Sequence, residues 1–198
     1  TAARELTSLF LECVVAPEFA PEAREILAAK ANLRLLELSP QSIEAAGHDH
    51  VRSILGGVLV QDLDDQPVKP DEWTVATDRV PTTRERDDLC FAWQLVRHVR
   101  SNAIVVAKEG QSLGIGAGQM NRVGSAQIAL QAAGDGSEGA VLASDGFFPF
   151  DDTVRLAAEH GITAVIHPGG SKRDADSIKA CNELGLSMLL TGRRHFLH

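Results

Sequence analysis

The sequence predicts an α/β fold, in which a sheet is flanked by helices. Two stretches carry this prediction. A strand, a helix and a second strand follow one another within residues 11–38, and strands alternate with helices over residues 140–190. The composition agrees, because 198 residues with 44% hydrophobic content suffice for one α/β domain or for two small lobes with a shared core.

The first part of the chain is predicted to hold a strand-helix-strand unit of the kind found in parallel sheets. Pro21 stands where a first helical turn begins, and Glu22 favours the N-terminal end of a helix. The Gly56-Gly57 pair lies inside a predicted strand and indicates a bulge or a close approach of backbone. The predicted elements here are strands at 11–16, 33–38 and 54–61, a helix at 21–31, a polar stretch at 39–49, a surface loop at 62–71 and a short edge strand at 73–77.

The strongest helical pattern follows in the second part of the chain. Thr82 and Glu85 have the spacing of a capping box, and apolar residues then recur at helical intervals. Ser171 and Asp174 have the same capping-box spacing before the last helix. The predicted elements here are helices at 83–100, 122–133, 152–160 and 171–184, strands at 103–108, 112–116, 140–143, 162–166 and 186–190, and a flexible connection at 134–139.

The charge pattern argues against a nucleic-acid partner. The formal net charge is −8, and no Lys/Arg cluster supplies the basic face that such a partner needs. The densest basic run is Arg193-Arg194-His195, which is either a binding spot for a small anion or a solvated tail.

The cysteines and the apolar pattern predict a cytoplasmic protein with no membrane partner. Cys13, Cys90 and Cys181 each lie in an apolar stretch, where buried free thiols of a reducing compartment are expected. No apolar run approaches the roughly 20 residues that span a bilayer, and no signal peptide opens the chain. The start at Thr1 without Met leads us to expect a fragment or a processed product.

Three motifs are candidates for a ligand or metal site. Gly114-Ile115-Gly116-Ala117-Gly118-Gln119 has glutamine where a dinucleotide loop needs its third glycine, so we favour a tight turn into a helix. His167-Pro168-Gly169-Gly170-Ser171 joins a strand end to a helix start, and we favour a backbone ligand site over an ordinary turn. His48-Asp49-His50 lacks further ligands at zinc spacing, and the zinc-deaminase signature is absent, so we expect no zinc site.

The segment Ser144-Asp145-Gly146-Phe147-Phe148-Pro149-Phe150-Asp151-Asp152 holds three of the seven phenylalanines of the chain. It lies between a predicted strand end and a helix. One interpretation is a surface that stacks flat heterocycles, with Asp145 or Asp152 accepting hydrogen bonds from ring N–H groups. The other is a hydrophobic plug before a helix start. The residues alone leave both interpretations open.

Taken together and in this order, the motifs resemble those of one family, the bifunctional purine-biosynthesis proteins with AICAR transformylase and IMP cyclohydrolase activities. The resemblance covers nearly the whole chain and corresponds to the C-terminal part of the transformylase half. The similar segments are Glu12-Cys13-Val14-Val15-Ala16-Pro17, Arg100-Ser101-Asn102-Ala103-Ile104-Val105, the stretch 114–123, the stretch 143–150, His167-Pro168-Gly169-Gly170-Ser171 and Arg194-His195-Phe196-Leu197-His198.

The resemblance implies a reaction and a fold. The reaction is formyl transfer from 10-formyltetrahydrofolate to the 5-amino group of AICAR, whose product a separate N-terminal domain closes to IMP. The implied fold is two cytidine-deaminase-like lobes without zinc, each a mixed sheet flanked by helices. Residues 81–198 are then the C-terminal lobe, and residues 1–80 are a connecting α/β segment. The implied partners are AICAR, folate, the remainder of the same polypeptide and a second copy in a homodimer.

The resemblance also implies roles for single residues. Asn102 is the expected catalytic residue beside the substrate carboxamide, where an amide both donates and accepts. A guanidinium suits the 5′-phosphate, and hard oxygen ligands suit a monovalent cation such as potassium. The implied sets are Asn102, Arg122, Phe147 and Arg194 for AICAR, Phe150, Asp152, Gly169 and Phe196 for folate, and Asp145, Ser101 and His198 for the cation.

The chain departs from the family pattern in three places. It lacks the Lys-His pair whose histidine accepts the proton of the attacking amine, so we expect weak ligand binding and no turnover by this chain alone. Gly146 stands where alanine is common, and Asp151 where a basic residue is common. Two alternatives remain: a stand-alone nucleotide- or folate-binding module without catalysis, and a lobe that chiefly forms a dimer interface.

Overall fold

The computed structural model describes residues 2–46 and 49–198. The chain forms two compact units, Thr1–Leu63 and Asp64–His198. Thr1, on which the expectation of a fragment rests, lies outside the described residues. So does His48, the first histidine of the 48–50 motif. The predicted domain limits of 1–80 and 81–198 concern the whole protein and stay a prediction.

The first unit contains a parallel strand pair and a hairpin. β1 and β2 pair in parallel across the intervening helix, as the strand-helix-strand pattern predicted. One face of the pair packs on two helices through a small core that includes Phe19 and Leu27. The elements are α1 (Ala2–Ser8), β1 (Cys13–Ala16), α2 (Pro21–Leu27), β2 (Arg34–Glu37), α3 (Pro40–Glu44), β3 (Asp49–Ile54) and β4 (Gly57–Asp62).

The predicted strand at 54–61 is confirmed only for residues 57–61, which lie in β4, and the bulge or close approach inferred inside it is wrong. The glycine pair instead lies at the reversal of a hairpin in which β3 and β4 pair antiparallel. Gly56 has a φ of 81°, a left-handed conformation that glycine adopts without a steric penalty. The sequence did not predict a strand at β3, because its residues, Asp-His-Val-Arg-Ser-Ile, are largely polar.

The second unit is a six-stranded mixed sheet flanked by helices, which confirms the predicted α/β class. The strand order is β5-β10-β9-β8-β6-β7; β8, β9 and β10 run parallel, and the other neighbours pair antiparallel. The elements are β5 (Thr74–Val75), α4 (Thr83–Val96), β6 (Ile104–Lys108), β7 (Gln111–Gly116), α5 (Arg122–Ala133), β8 (Val141–Ser144), α6 (Asp152–Glu159), β9 (Ala164–His167), α7 (Asp174–Leu184) and β10 (Ser187–Leu190).

Both faces of this sheet are covered, and its central strands are accordingly mostly apolar. Alternate residues of β6 serve opposite layers. Ile104 and Val106 pack in one core cluster with residues of α5, α6 and α7. Val105 and Ala107 pack in a second cluster with residues of α4. No described helix is long and apolar enough to cross a membrane.

Of the two predicted capping boxes, one is confirmed. Thr82 Oγ1 accepts from the Glu85 N–H at 3.3 Å, and the Glu85 carboxylate accepts from the Thr82 N–H at 2.8 Å. The box predicted at Ser171 is wrong, because α7 begins only at Asp174. The Ser171 hydroxyl accepts from the backbone N–H two residues on, at 3.1 Å, and so forms a local turn that competes with helix.

The expectation that all three cysteines are buried is also wrong. Cys181 is buried in α7, and burial raises the pKa of its thiol to about 12. Cys90 is half-buried, and Cys13 is exposed on β1. Cys13 lies on the strand face opposite the small core, because side chains alternate along a strand and Val14 faces that core.

Candidate functional site

Every residue that the resemblance assigned to a site lies in the second unit, Asp64–His198. The parallel strands β8, β9 and β10 end at one edge of the sheet, which is where ligands collect in open α/β sheets. β6 runs antiparallel to β8, so the residues just before β6 lie at this edge as well. The sheet topology therefore places the predicted site residues around one edge.

The centre of this edge is the fully buried side chain of Asp145, directly after β8. Its carboxylate accepts hydrogen bonds from the Ala103 N–H at 3.1 Å, from the Ser101 hydroxyl and from the Arg122 guanidinium. Its backbone carbonyl accepts from the His195 N–H at 2.9 Å. Asp145 therefore joins four separate segments of the unit.

Arg122 is the cationic partner of Asp145 and begins α5. Its side chain is 7% exposed, and Nη1 also donates to the Ser144 hydroxyl at 3.0 Å. A Cβ atom on Gly146 would overlap this guanidinium and would lie 2.9 Å from Cε1 of Phe196. The glycine found where the family commonly has alanine thus leaves room for the buried arginine.

Asn102 is oriented by backbone groups at the same edge. The side-chain Nδ2 of Asn102 donates to the backbone carbonyl of Gln119 at 2.9 Å, and the backbone carbonyl of Asn102 accepts from the Ser125 hydroxyl at 2.7 Å. This arrangement turns the amide nitrogen toward the loop between β7 and α5. Gln119 and Ser125 were not identified from the sequence, because backbone acceptors and lone serines carry no pattern.

The phenylalanine loop contains the hydrophobic plug of one interpretation, whereas the stacking of a heterocycle stays a prediction. Phe148 is fully buried as a plug, with its ring centre 4.5 Å from that of His167. Phe147 is half-buried, and Phe150 is 49% exposed. The two outer rings therefore form surface on which another group can lie.

An arginine–aromatic stack stands at the outer side of the edge. Cζ of Arg194 lies 5.1 Å from the ring centre of Phe147 and 5.8 Å from that of Phe196. A guanidinium over an aromatic ring can keep its N–H groups available for another acceptor. The ring of His198 lies 5.9 Å from that of Phe196.

The predicted folate residues occupy the neighbouring loops. Phe150 lies under the guanidinium of Arg173, with 4.9 Å between Cζ and the ring centre. Asp152 is exposed at the first position of α6, where its carboxylate accepts from the Thr153 N–H at 2.7 Å. Gly169 has a φ of 71° in the loop after β9.

His167 connects that loop to the core. Its Nδ1 accepts from the Gly169 N–H at 3.1 Å, so the ring carries its proton on Nε2, 3.3 Å from Met188 Sδ. Burial first, and the charge of Arg122 second, lower the pKa of His167 to about 3. The ring is therefore neutral at physiological pH and acts as a hydrogen-bond acceptor for the glycine loop.

Acid is expected to destabilise the chain through His167. The unfolded ring binds a proton near pH 6.5 and the folded ring only near pH 3, so protonation favours the unfolded state between these values. The His167 contribution to the free energy of unfolding should be about 2 kcal/mol smaller at pH 5 than at pH 7. Urea unfolding at both pH values measures this, and His167→Gln should remove that part of the difference.

His98→Gln is the matched control, because that exposed ring meets solvent in the folded and the unfolded chain alike. An equal pH dependence in wild type and His167→Gln would contradict the buried neutral histidine.

The glycines before α5 pack a helix rather than surround a phosphate. A Cβ atom on Gly114 would overlap the carbonyl oxygen of Ala129, and one on Gly116 would overlap that of Ser125. β7 and α5 therefore approach so closely that only glycine fits. This packing agrees with the preference for a turn over a dinucleotide loop.

The basic run near the C-terminus divides into three roles. Arg193 donates to Asp64 at 2.6 Å, Arg194 forms the aromatic stack, and His195 is buried against the Trp93 ring at 4.4 Å between centres. The His195 ring also bonds to Asp64. Asp64 was missed from the sequence, because its partners are 129 and 131 residues away along the chain.

Within residues 2–46 and 49–198, no group of three or more His, Cys, Asp or Glu side chains is placed to hold a metal ion. Of the three residues expected to hold a monovalent cation, Ser101 and Asp145 are hydrogen-bonded to each other.

Fold and edge together define an α/β protein that presents a buried arginine–aspartate pair and an arginine–aromatic stack at the ends of its strands. The chain belongs to the family described as the AICARFT/IMPCHase bienzyme, whose model matches residues 1–132. The family that the motifs resembled is thereby confirmed.

Curated relatives match the chain over its full length. A protein named bifunctional purine biosynthesis protein PurH from Synechococcus sp. (strain WH7803) is 86% identical over 197 residues, which cover 100% of this chain and 37% of that protein. The proteins of the same name from Parasynechococcus marenigrum (strain WH8102) and Prochlorococcus marinus (strain NATL1A) are 81% and 62% identical. In both, the matched residues are 100% of this chain and 38% of the relative. The chain thus spans less than two fifths of the length of these relatives.

A solved structure of RibD from Acinetobacter baumannii (form 2) aligns with a TM-score of 0.35 and 14% identity, over 49% of this chain and 31% of that chain. Similarity at this level carries no argument about fold. The cytidine-deaminase-like lobe therefore stays a prediction.

Proposed function

We propose that this chain is the C-terminal part of the formyl-transferring half of a bifunctional purine-biosynthesis enzyme. In the whole protein, this half moves the formyl group of 10-formyltetrahydrofolate to the 5-amino group of AICAR, and a separate domain with IMP cyclohydrolase activity closes the product. Membership of the AICARFT/IMPCHase family supports the proposal, as do relatives named bifunctional purine biosynthesis protein.

The observation that carries the proposal is the arginine–aromatic stack beside the buried Arg122–Asp145 pair. A guanidinium that stacks on rings keeps its edge donors for a phosphate, and a bidentate phosphate contact is the strong form of such a hydrogen bond. The half-buried ring of Phe147 beneath Arg194 offers a flat surface to an imidazole. A nucleotide with a small heterocyclic base fits both features.

The residue roles that the family resemblance implies are part of this proposal. Asn102 contacts the carboxamide of AICAR, and the buried Arg122 holds the edge of the site through Asp145. The exposed side of the phenylalanine loop and the glycine loop after β9 receive the folate. The full sets are Asn102, Arg122, Phe147 and Arg194 for AICAR and Phe150, Asp152, Gly169 and Phe196 for folate.

The chemistry that this chain supplies is binding and orientation. Its residues bring the amine of AICAR and the formyl group together, which lowers the entropic barrier to their reaction. Proton removal from the amine is assigned to the family's Lys-His pair, which the sequence of this chain lacks. Loss of a general base costs a factor on the order of 10² or more in rate. The isolated chain is therefore expected to bind ligands weakly without turnover.

A monovalent cation such as potassium is proposed at Asp145, Ser101 and His198. The Asp145 carboxylate accepts three hydrogen bonds, which leaves about one of its roughly four lone-pair sites, and backbone oxygens near Ser101 and His198 would supply the other ligands. These hard oxygens are of the type that such ions bind. When bound, the ion would supply positive charge that fixes the loop of Asp145.

The proposal also includes that the whole protein is a homodimer, that it lies in the cytoplasm and that its ligands are AICAR and folate. The acidic charge of −8 supports the absence of a nucleic-acid partner. A second candidate function is a nucleotide- or folate-binding or dimerisation module without catalysis. The missing Lys-His pair favours this reading for the chain in isolation.

Formyl transfer from 10-formyltetrahydrofolate to AICAR tests the proposal. The full-length protein should catalyse it, and the 198-residue chain should not. Robust transfer by the chain alone would overturn the assignment of proton transfer to another segment. Absence of transfer by the full-length protein would favour the module.

Arg194→Ala in the full-length protein is expected to weaken AICAR binding about 10- to 100-fold, because a charge-assisted phosphate contact is lost. Calorimetry with AICAR, and with the same riboside without its 5′-phosphate, measures the effect. The riboside affinity should not change. Arg155→Ala, which removes a surface partner of Asp151, is the control. Unchanged AICAR affinity in Arg194→Ala would favour a role in assembly.

A further inference from the structure

A carboxylate outside the predicted site holds the segment that carries Arg194 and Phe196. Asp64 opens the second unit and accepts a hydrogen bond from Arg193 Nη2 at 2.6 Å on Oδ1. Its other oxygen, Oδ2, is bonded to Nδ1 of His195. One side chain thus bonds to two residues, Arg193 and His195, of the C-terminal segment 193–198.

The spacing of these two contacts decides where the residues between and beyond them point. Burial alternates along residues 193–198 as it does in an extended chain: Arg193, His195 and Leu197 are half-buried or buried, and the residue after each is exposed. The Leu197 carbonyl accepts from the Ser101 N–H at 2.9 Å, and Arg100 and Leu197 form a parallel bridge. Side chains alternate sides in an extended segment. Holding Arg193 and His195 on one side therefore turns Arg194 and Phe196 to the other, where Arg194 meets Phe147.

A pocket borders the side of the segment that carries Arg193 and His195. Its volume is about 150 Å³, and its lining includes Trp73, Trp93, Arg193 and His195. His195 is 2% exposed, and its Nε2 is buried with no hydrogen-bond partner among the described residues. The hydrogen bond to Asp64 thus offsets part of the free-energy cost of burying the polar ring of His195.

We propose that Asp64 is a positioning residue, which anchors Arg193 and His195 so that Arg194 and Phe196 face the ligand site. Asp64 touches no ligand itself and acts through the geometry of the segment. Without the anchor, the side chains of Arg193 and His195 lose their fixed orientation, although the backbone stays bonded to Asp145 and Ser101. The guanidinium of Arg194 then shifts from its place over Phe147. The inference rests on the proposed phosphate-binding role of Arg194.

The test compares Asp64→Asn with Asp71→Asn in the full-length protein. Asp71 is an exposed carboxylate seven residues after Asp64 in the sequence. AICAR and the riboside without its 5′-phosphate are titrated by calorimetry, and KM for AICAR and kcat are measured. Asp64→Asn should bind AICAR about tenfold more weakly, since small displacements of a positioning group have effects of this size. The riboside affinity and kcat at saturation should hardly change, and Asp64→Glu should recover part of the loss.

Arg193→Gln provides a second variant in case Asp64→Asn does not fold. It removes one of the two contacts at a partly exposed position and leaves His195 in place, so an intermediate rise in KM is expected. Wild-type AICAR affinity in folded Asp64→Asn, or in Arg193→Gln if the first variant does not fold, would overturn the positioning role.

The same titrations separate the inference from the function on which it rests. If the wild-type protein does not distinguish AICAR from the riboside, the proposed phosphate site fails. If the wild type distinguishes them and Arg194→Ala does not, the phosphate site stands. If Asp64→Asn then distinguishes AICAR from the riboside as well as the wild type does, only the positioning role of Asp64 is refuted.

Discussion

Asp145→Asn is expected to lower the free energy of unfolding of the second unit by about 3–5 kcal/mol, the cost of removing one partner from a buried ion pair. The amide keeps the size of the side chain but leaves the Arg122 guanidinium buried without its counter-charge. Urea unfolding of the chain, followed by tryptophan fluorescence, measures the change. Trp73 and Trp93 both lie in the second unit, so the signal reports on that unit.

Asp151→Asn is the matched control, because its partner Arg155 lies on the surface and the pair is solvated. This variant should unfold at the wild-type urea concentration. Combining Asp145→Asn with Arg122→Met should recover part of the lost stability, since the unpaired charge is then absent. A loss below about 1 kcal/mol in Asp145→Asn would be incompatible with a buried ion pair at this edge.

Gly116→Ala is expected to destabilise the same unit by about 3 kcal/mol, the upper end of the range for overpacked cores. The added methyl group would overlap the backbone carbonyl of Ser125 in α5. A backbone atom within a helix cannot rotate away as a side chain does, so β7 or α5 must shift as a whole. The same fluorescence-detected unfolding measures the loss.

Gly136→Ala serves as the comparison for this substitution. Its added methyl group meets only the Leu113 side chain, at an ordinary 3.4 Å, so stability should change little. Equal stabilities of Gly116→Ala and Gly136→Ala would contradict the close approach of β7 to α5. Such a result would also revive the question of what the glycines of this stretch do.

The elements of the second unit were predictable because local pattern and tertiary packing agree there. The Thr82–Glu85 box is a two-residue signal that the structure satisfies on both sides. The hairpin of the first unit shows the opposite case. Its reversal depends on the positive φ of Gly56, and a glycine pair inside an apolar run reads equally as a bulge or as a turn. Local sequence does not decide between those two geometries.

The site was predictable as a set of loops but not as a network. The motifs at 144–152 and 167–171 each follow a predicted strand end, and this indicated the edge of the sheet, since parallel strands end together. The contacts that organise the edge join residues distant in sequence. Asp145 reaches Ala103, 42 residues away, and the neutral state of His167 depends on burial that no local pattern encodes. The residue roles came from the family resemblance.

The pairing of β5 with β10 has a consequence for the order in which the second unit forms. The Met188 N–H donates to Thr77 Oγ1 across 111 residues, and His195 reaches Asp64 across 131. During synthesis on the ribosome, the 64–77 segment therefore waits without its partners until the last strand has emerged. Closing loops of this length is entropically costly and slow. We infer that β6, β7 and α5, which pack as neighbours in sequence, form first, and that the segment holding Arg194 is placed last.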